Sequence, residues 1–164
     1  MTSVSNPHAS VLWNEGRAAT IIAEHAGMPG ATLPILHALQ EEFGCVPEAA
    51  KPMIAAALNL SRAEVHGVVS FYHDFRSAPA GRHVLKLCRA EACQSMGCGR
   101  LHEGALDKLG IAMGETTADG QLTVEAIYCL GLCATAPSAL IDGRPVGRLT
   151  PERLDGIVRE AILS

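Results

Sequence analysis

Hydrophobic and polar positions divide the chain into two regimes. Up to about residue 80 the apolar positions recur at helical spacing. This predicts four short helices, roughly Leu12 to Ala26, Pro34 to Phe43, Ala49 to Leu58 and Arg62 to Phe71. Their punctuation agrees with the period. Thr32 precedes Pro34 as a candidate cap, Gly44 stops the second helix, and Ser61 with Glu64 forms an S-x-x-E capping box. Beyond Ser77-Ala78-Pro79-Ala80-Gly81 the pattern alternates. Val84 to Leu87 reads as a strand, Gln94 to Leu109 as a helix ended by Gly110, and Leu122 to Ile127 as a second strand. Ala139 to Ile141 and Pro145 to Gly147 flank Asp142-Gly143, a pair that supplies the positive φ angles of a tight hairpin turn. Thr150 before Pro151 caps a last helix running to about Leu163.

The fold read from these elements is α+β. An N-terminal helical bundle (residues 1–80) precedes a thioredoxin-like α/β domain (residues 81–164) of order β-α-β-β-α. The helical half is expected to serve docking.

Composition narrows the function. At 48% hydrophobic and 18% charged the chain can bury enough apolar surface to fold, and a net charge of −4 leaves no basic stripe for nucleic acid. Aromatic residues make up only 4%, too few for stacking on bases or sugars. No apolar run is long enough to span a bilayer, and MTSVSNPHASVLWNEG has neither the basic nor the apolar region of a signal peptide, so a cytoplasmic location is expected. In that reducing compartment six cysteines point to metal or redox chemistry rather than disulfides.

Four of the six stand at predicted strand ends. Cys88 and Cys93 form a C-x4-C pair in CRAEAC, and Cys129 and Cys133 a C-x3-C pair in CLGLC. If the two strands run parallel, both pairs emerge at one edge of the sheet and four thiolates can meet. A helix starting just after Cys93 would add its positive end. Zinc also accepts four cysteines, but these spacings are wider than the commonest knuckle and favour two irons. The C-x-x-C pair of a disulfide oxidoreductase is absent. Gly131, between two candidate ligands, would let the backbone fold around a sulfur and donate N–H groups to it.

CRAEAC, a gap of 35 residues and CLGLCATAP, together with LPILHALQEEFGCVPE and LNLSRAEVHGVVSFYHDF, resemble the thioredoxin-like [2Fe-2S] ferredoxins that form the small subunit of NADH-linked complexes. The resemblance spans roughly residues 14 to 163. It implies one [2Fe-2S] cluster held by Cys88, Cys93, Cys129 and Cys133, no catalytic residue in this chain, and a partner that binds flavin and nicotinamide and has iron-sulfur clusters. FYHDFR and CRAEACQSMG are similar to the gamma subunit of cytoplasmic NAD-dependent formate dehydrogenases. This adds an expected molybdenum-containing catalytic partner. The small subunits of respiratory NADH dehydrogenase and of NAD-reducing hydrogenase share the same cluster and fold.

The remaining candidates read as ordinary residues. Five helical steps rotate Cys98 by about 140° from Cys93, so on one continuous helix it would face away. Cys45 reads as a small apolar residue. His25, His37, His66, His73 and His102 fall on predicted helices and His83 at a strand start, without ligand spacing. Glu41, Glu42, Asp74, Glu103 and Asp142 read as solvated charges. No glycine pattern follows a strand as a phosphate loop would. Arg89, next to Cys88, is the nearest cation and a candidate to offset cluster charge, against the alternative of an exposed arginine.

Overall fold

The computed structural model describes residues 12–163, so most of the N-terminal stretch read for a signal lies outside the described residues. The chain forms two compact units divided between Pro79 and Ala80. Among the described residues no helix is long and apolar enough to cross a membrane.

The first unit holds α1 (Glu15–His25), α2 (Thr32–Phe43), α3 (Ala50–Leu58) and α4 (Arg62–Phe71). Their apolar stripes converge on Ile35, Leu36, Leu39, Phe43, Val46, Ile54 and Val65, all nearly inaccessible. The capping box is complete. Ser61 Oγ accepts the Glu64 N–H at 3.2 Å and Glu64 Oε2 accepts the Ser61 N–H at 2.8 Å, an arrangement that contributes about 1 kcal/mol. Thr32 is not a cap. It already lies inside α2, which begins after Ala31 without a side-chain acceptor. The side-chain cap that the sequence pattern does not single out is Asn14, whose Oδ1 accepts the Arg17 N–H at 2.9 Å at the start of α1. Lys51, though buried, is paired with Glu48 Oε1 at 2.5 Å.

The second unit is a four-stranded sheet in the order β2-β1-β3-β4. Its strands are β1 (His83–Cys88), β2 (Leu122–Ile127), β3 (Ala139–Ile141) and β4 (Arg144–Val146). β1 and β2 run parallel, with Cys88 opposite Ile127, whereas β3 is antiparallel to both β1 and β4. Alternation along β1 puts Leu85 and Leu87 into the core with Leu122, Val124, Ala139 and Ile141. Lys86, between them, pairs with Glu125 of β2 at 3.6 Å. The hairpin turn is as expected, with Asp142 at φ 47° and Gly143 at φ 79°.

Three helices complete this unit: α5 (Glu91–Ser95), α6 (Cys98–Leu109) and α7 (Pro151–Leu163). Thr150 Oγ1 accepts the Arg153 N–H at 3.2 Å and so caps α7. The single helix expected from Gln94 to Leu109 is broken in two. Gly97 adopts φ 79°, a left-handed conformation that ends one helix and starts the next in a new direction.

On the inner face of α6, one turn after Cys98, stands His102. It is 4% exposed, its Nε2 has no hydrogen-bond partner, and burial, aided by the charge of Arg89, lowers its pKa to about 4. A depressed histidine favours the folded chain above the unfolded pKa of about 6.5 and loses that contribution as pH falls toward 4. Denaturant melts should therefore show wild type losing about 2 kcal/mol more than His102→Leu between about pH 7 and pH 5. Parallel pH profiles for the two proteins would contradict the buried neutral assignment.

Candidate metal centre

Because β1 and β2 are parallel and in register, the chain leaves both strands at the same sheet edge. Cys88 is the last residue of β1, and Cys129 follows two residues after β2 ends. Each thiol then gains its pair from the loop that follows: Cys93 from inside α5, and Cys133 from the start of a 3-10 turn, Cys133–Thr135.

The two pairs have different surroundings. Cys88 and Cys93 are each 2% exposed and pack with Cys98, Ala90, Ile127, Leu130 and Ala136, whereas Cys129 and Cys133 are exposed. The sulfurs of Cys129 and Cys133 are 3.9 Å apart. Two thiolates on one tetrahedral metal with bonds of about 2.3 Å would be separated by about 3.8 Å, so this pair already has the spacing of one metal corner. Among the described residues no group of three or more His, Cys, Asp or Glu side chains is gathered closely enough for a single ion. The thiols stand as two pairs on the loops that follow β1 and β2, four sulfur donors of the kind an iron-sulfur cluster takes.

The Cys88 thiol would be pushed up by burial. Hydrogen bonds from the Ala90 N–H, the Cys93 thiol, the Cys129 N–H and the Ser138 hydroxyl outweigh this and bring it below the usual cysteine range. Cys133 is shifted the other way, first through its hydrogen bond with Cys129 and then by the charge of that neighbour, with Cys93 adding to the effect. These interactions tie the loops together, because Cys88 meets the backbone of Cys129 and Cys133 feels the charge of Cys93.

Local backbone geometry explains how the thiols are held. Cys129 itself adopts φ 84°, a strained conformation for a residue with a Cβ, costing on the order of 1–3 kcal/mol. Gly131 follows at φ 73° and donates its N–H to Cys129 Sγ at 3.4 Å. A Cβ at Gly131 would meet nothing within 4 Å, so the loop needs glycine here for φ and not for space.

Two expectations change. Cys93 lies within α5, which begins at Glu91, so no helix starts just after it; this helix has five residues, and the N–H donated to Cys88 comes from the Ala90 backbone. Nor does Cys98 turn away from the pair. The break at Gly97 cancels the rotation argument and returns Cys98, 1% exposed, to the apolar group of Cys88 and Cys93. Burial, reinforced by charge on Cys93 and Cys88, keeps its thiol above the ordinary range. Arg89 is exposed, and its charge acts on Cys98 and His102. Cys45 is buried in the first unit.

Ser138 has no place in any sequence motif, yet it faces the site. It is 1% exposed, its Oγ lies 3.5 Å from Cys93 Sγ, and its carbonyl accepts the Cys88 N–H at 3.1 Å. The available signal is its place between the second cysteine pair and the strand Ala139–Ile141, which pairs with β1 and so brings the residue before it alongside the end of β1.

A family model described as thioredoxin-like [2Fe-2S] ferredoxin matches residues 18–161. A component of the NADH-quinone oxidoreductase of Pseudomonas aeruginosa is 34% identical over 129 residues, covering 79% of this chain and 76% of its own length. The HndA component of the NADP-reducing hydrogenase of Solidesulfovibrio fructosivorans is 30% identical over 131 residues, covering 80% and 77%. Among solved structures, an NAD+-reducing [NiFe]-hydrogenase in the air-oxidized state is similar with a TM-score of 0.65 and 29% identity, over 80% of this chain and 23% of that one. The chain thus spans less than a quarter of the hydrogenase chain it matches.

A hydroxyl that donates to thiolate sulfur stabilises added negative charge. Ser138→Ala is therefore expected to lower the midpoint potential of the loaded protein by on the order of 40 mV, the equivalent of about 1 kcal/mol for one electron. Potentiometric titration followed by electron paramagnetic resonance checks this, and an upward shift would contradict the donor role.

Proposed function

The chain belongs to the thioredoxin-like [2Fe-2S] ferredoxin family and carries a [2Fe-2S] cluster, and from that premise we propose that Cys88, Cys93, Cys129 and Cys133 hold the cluster. The observation that carries this reading is the meeting of two cysteine pairs at one sheet edge, one pair buried and the other at the surface. When bound, the cluster supplies one-electron chemistry. The chain's own residues hold and tune it. The buried side keeps water from Cys88 and Cys93, backbone N–H groups of Ala90, Cys129 and Gly131 face sulfur, and Ser138 adds a hydroxyl. The exposed pair gives a redox partner close approach. The chain has no active site of its own and acts as the electron-transfer subunit of a larger NADH-linked oxidoreductase.

The finer reading is a cytoplasmic NAD-dependent formate dehydrogenase. Its partners would be a flavin- and nicotinamide-binding subunit with iron-sulfur clusters and a molybdenum-containing catalytic subunit. FYHDFR and CRAEACQSMG support that choice within the family. The helical half, residues 1–80, is the docking element. It contains none of the four ligands, and Phe71 of α4 and the C-cap residue Tyr72 are exposed beside Leu60, Val68 and Gly67 in a mainly apolar groove that Glu64 also lines.

Single alanine variants of the four ligand cysteines should each abolish the visible absorption and paramagnetic signal of the wild-type cluster, while Cys98→Ala and Cys45→Ala retain both. Loss in the Cys98 variant would place a fifth sulfur in the ligand set. Mass spectrometry of co-purifying subunits tests the complex: a molybdenum-containing partner is expected, and a nickel-containing or quinone-reducing partner in its place would overturn the formate dehydrogenase reading.

A further inference from the structure

The segment joining β4 to α7 runs along the back of the exposed cysteine loop. The Arg148 N–H donates to Thr135 O at 2.5 Å and the Leu149 N–H to Pro137 O at 3.0 Å, so residues 147–149 are laced to residues 135–137. Thr135 is in turn fixed to the loop between the cysteines. Its N–H and its Oγ1 both donate to Leu132 O, at 2.9 and 3.1 Å.

Gly147 stands at the closest approach. A Cβ there would come within 2.8 Å of Thr135 Cβ and 2.9 Å of Thr135 O, and closer still to Oγ1. Real side chains do not tolerate such distances. Gly147 is not among the residues with positive φ, so the requirement is for space and not for backbone freedom. On its other side its carbonyl accepts from Arg153 Nη1 of α7 at 2.6 Å, and α7 is anchored in the core by Leu154 and Ala161. If Gly147 gained bulk, the anchored helix would resist. The exposed turn at Cys133 and Ala134 is the side free to yield.

We propose that Gly147 is a positioning residue for the metal centre: its contact with Thr135 sets where the 3-10 turn, and with it the Cys133 sulfur, stands relative to Cys129. The proposal rests on the reading of Cys133 as a ligand. It assigns a role to a residue fourteen positions beyond Cys133, outside every cysteine motif.

The test uses the full chain, loaded anaerobically with iron and sulfide, with folding checked by circular dichroism and the reduced cluster read by electron paramagnetic resonance. Gly147→Ala should shift the g-values and lower cluster retention under chelator several-fold. Thr135→Ala, which removes the hydroxyl brace without adding bulk, should shift the g-values while the cluster is kept, and it decides the matter if Gly147→Ala does not fold. Gly156→Ala, in α7 with nothing within 4 Å of the added methyl, should match wild type. Wild-type g-values in Thr135→Ala and in any folded Gly147→Ala would overturn the proposal, as would an equal shift in Gly156→Ala. Cys133→Ala separates the two layers. If it loses the wild-type signal while the other variants keep theirs, only the positioning role fails. If it retains the signal, the ligand reading fails and the positioning role with it.

Discussion

Parallel pairing of β1 with β2 is the constraint from which the rest of the centre follows. Cys88 and Cys129 are 41 positions apart in sequence. Only a parallel register, with Cys88 opposite Ile127, brings the two chain exits to one edge. An antiparallel pairing would send the second cysteine pair to the far end of the sheet. Parallel strands need a crossover, and here it is α5 and α6, whose inner face carries Cys98, His102 and Ala105. The alternation of Leu85 and Leu87 against Leu122 and Val124 fixes the register, because a one-residue slip would expose these side chains.

Asymmetry between the two pairs suits a carrier. Two thiols placed among Ala90, Ile127, Leu130 and Ala136 are shielded from water, and hydrogen bonds to the Cys88 sulfur stabilise its thiolate despite burial. The opposite pair, on a loop strained at Cys129, is at the surface. Such strain persists only where the surroundings over-determine it. Gly131 from within the loop, and Thr135 with the 147–149 segment from behind it, provide that determination.

Much of this is legible in the residues, and where it is not the reason is physical. The four cysteine positions, the second strand from Leu122 to Ile127, the hairpin at Asp142-Gly143 and the Ser61 capping box all rest on short-range patterns. Side-chain period, turn chemistry and cap spacing report such patterns directly. The helix break at Gly97 is hidden because one glycine in a helical pattern is compatible with continuation, and only tertiary packing decides. The misplacement of Cys98 is its consequence. Thr32 stands out over Asn14 because a proline two residues after a threonine resembles a helix start, whereas α2 begins earlier and without a side-chain cap. Ser138 and Gly147 act across the fold, through contacts with Cys93 and Thr135 that no local spacing encodes.

The ligand set is the central claim, and an iron-edge anomalous map of the crystallised, cluster-loaded chain tests it most directly. The account predicts two iron peaks at the edge where β1 and β2 end, bounded on the buried side by Cys88 and Cys93 and on the exposed side by Cys129 and Cys133, with Cys98 bonded to neither. A single metal peak, or an iron bonded to Cys98 in place of one of the four, would contradict it.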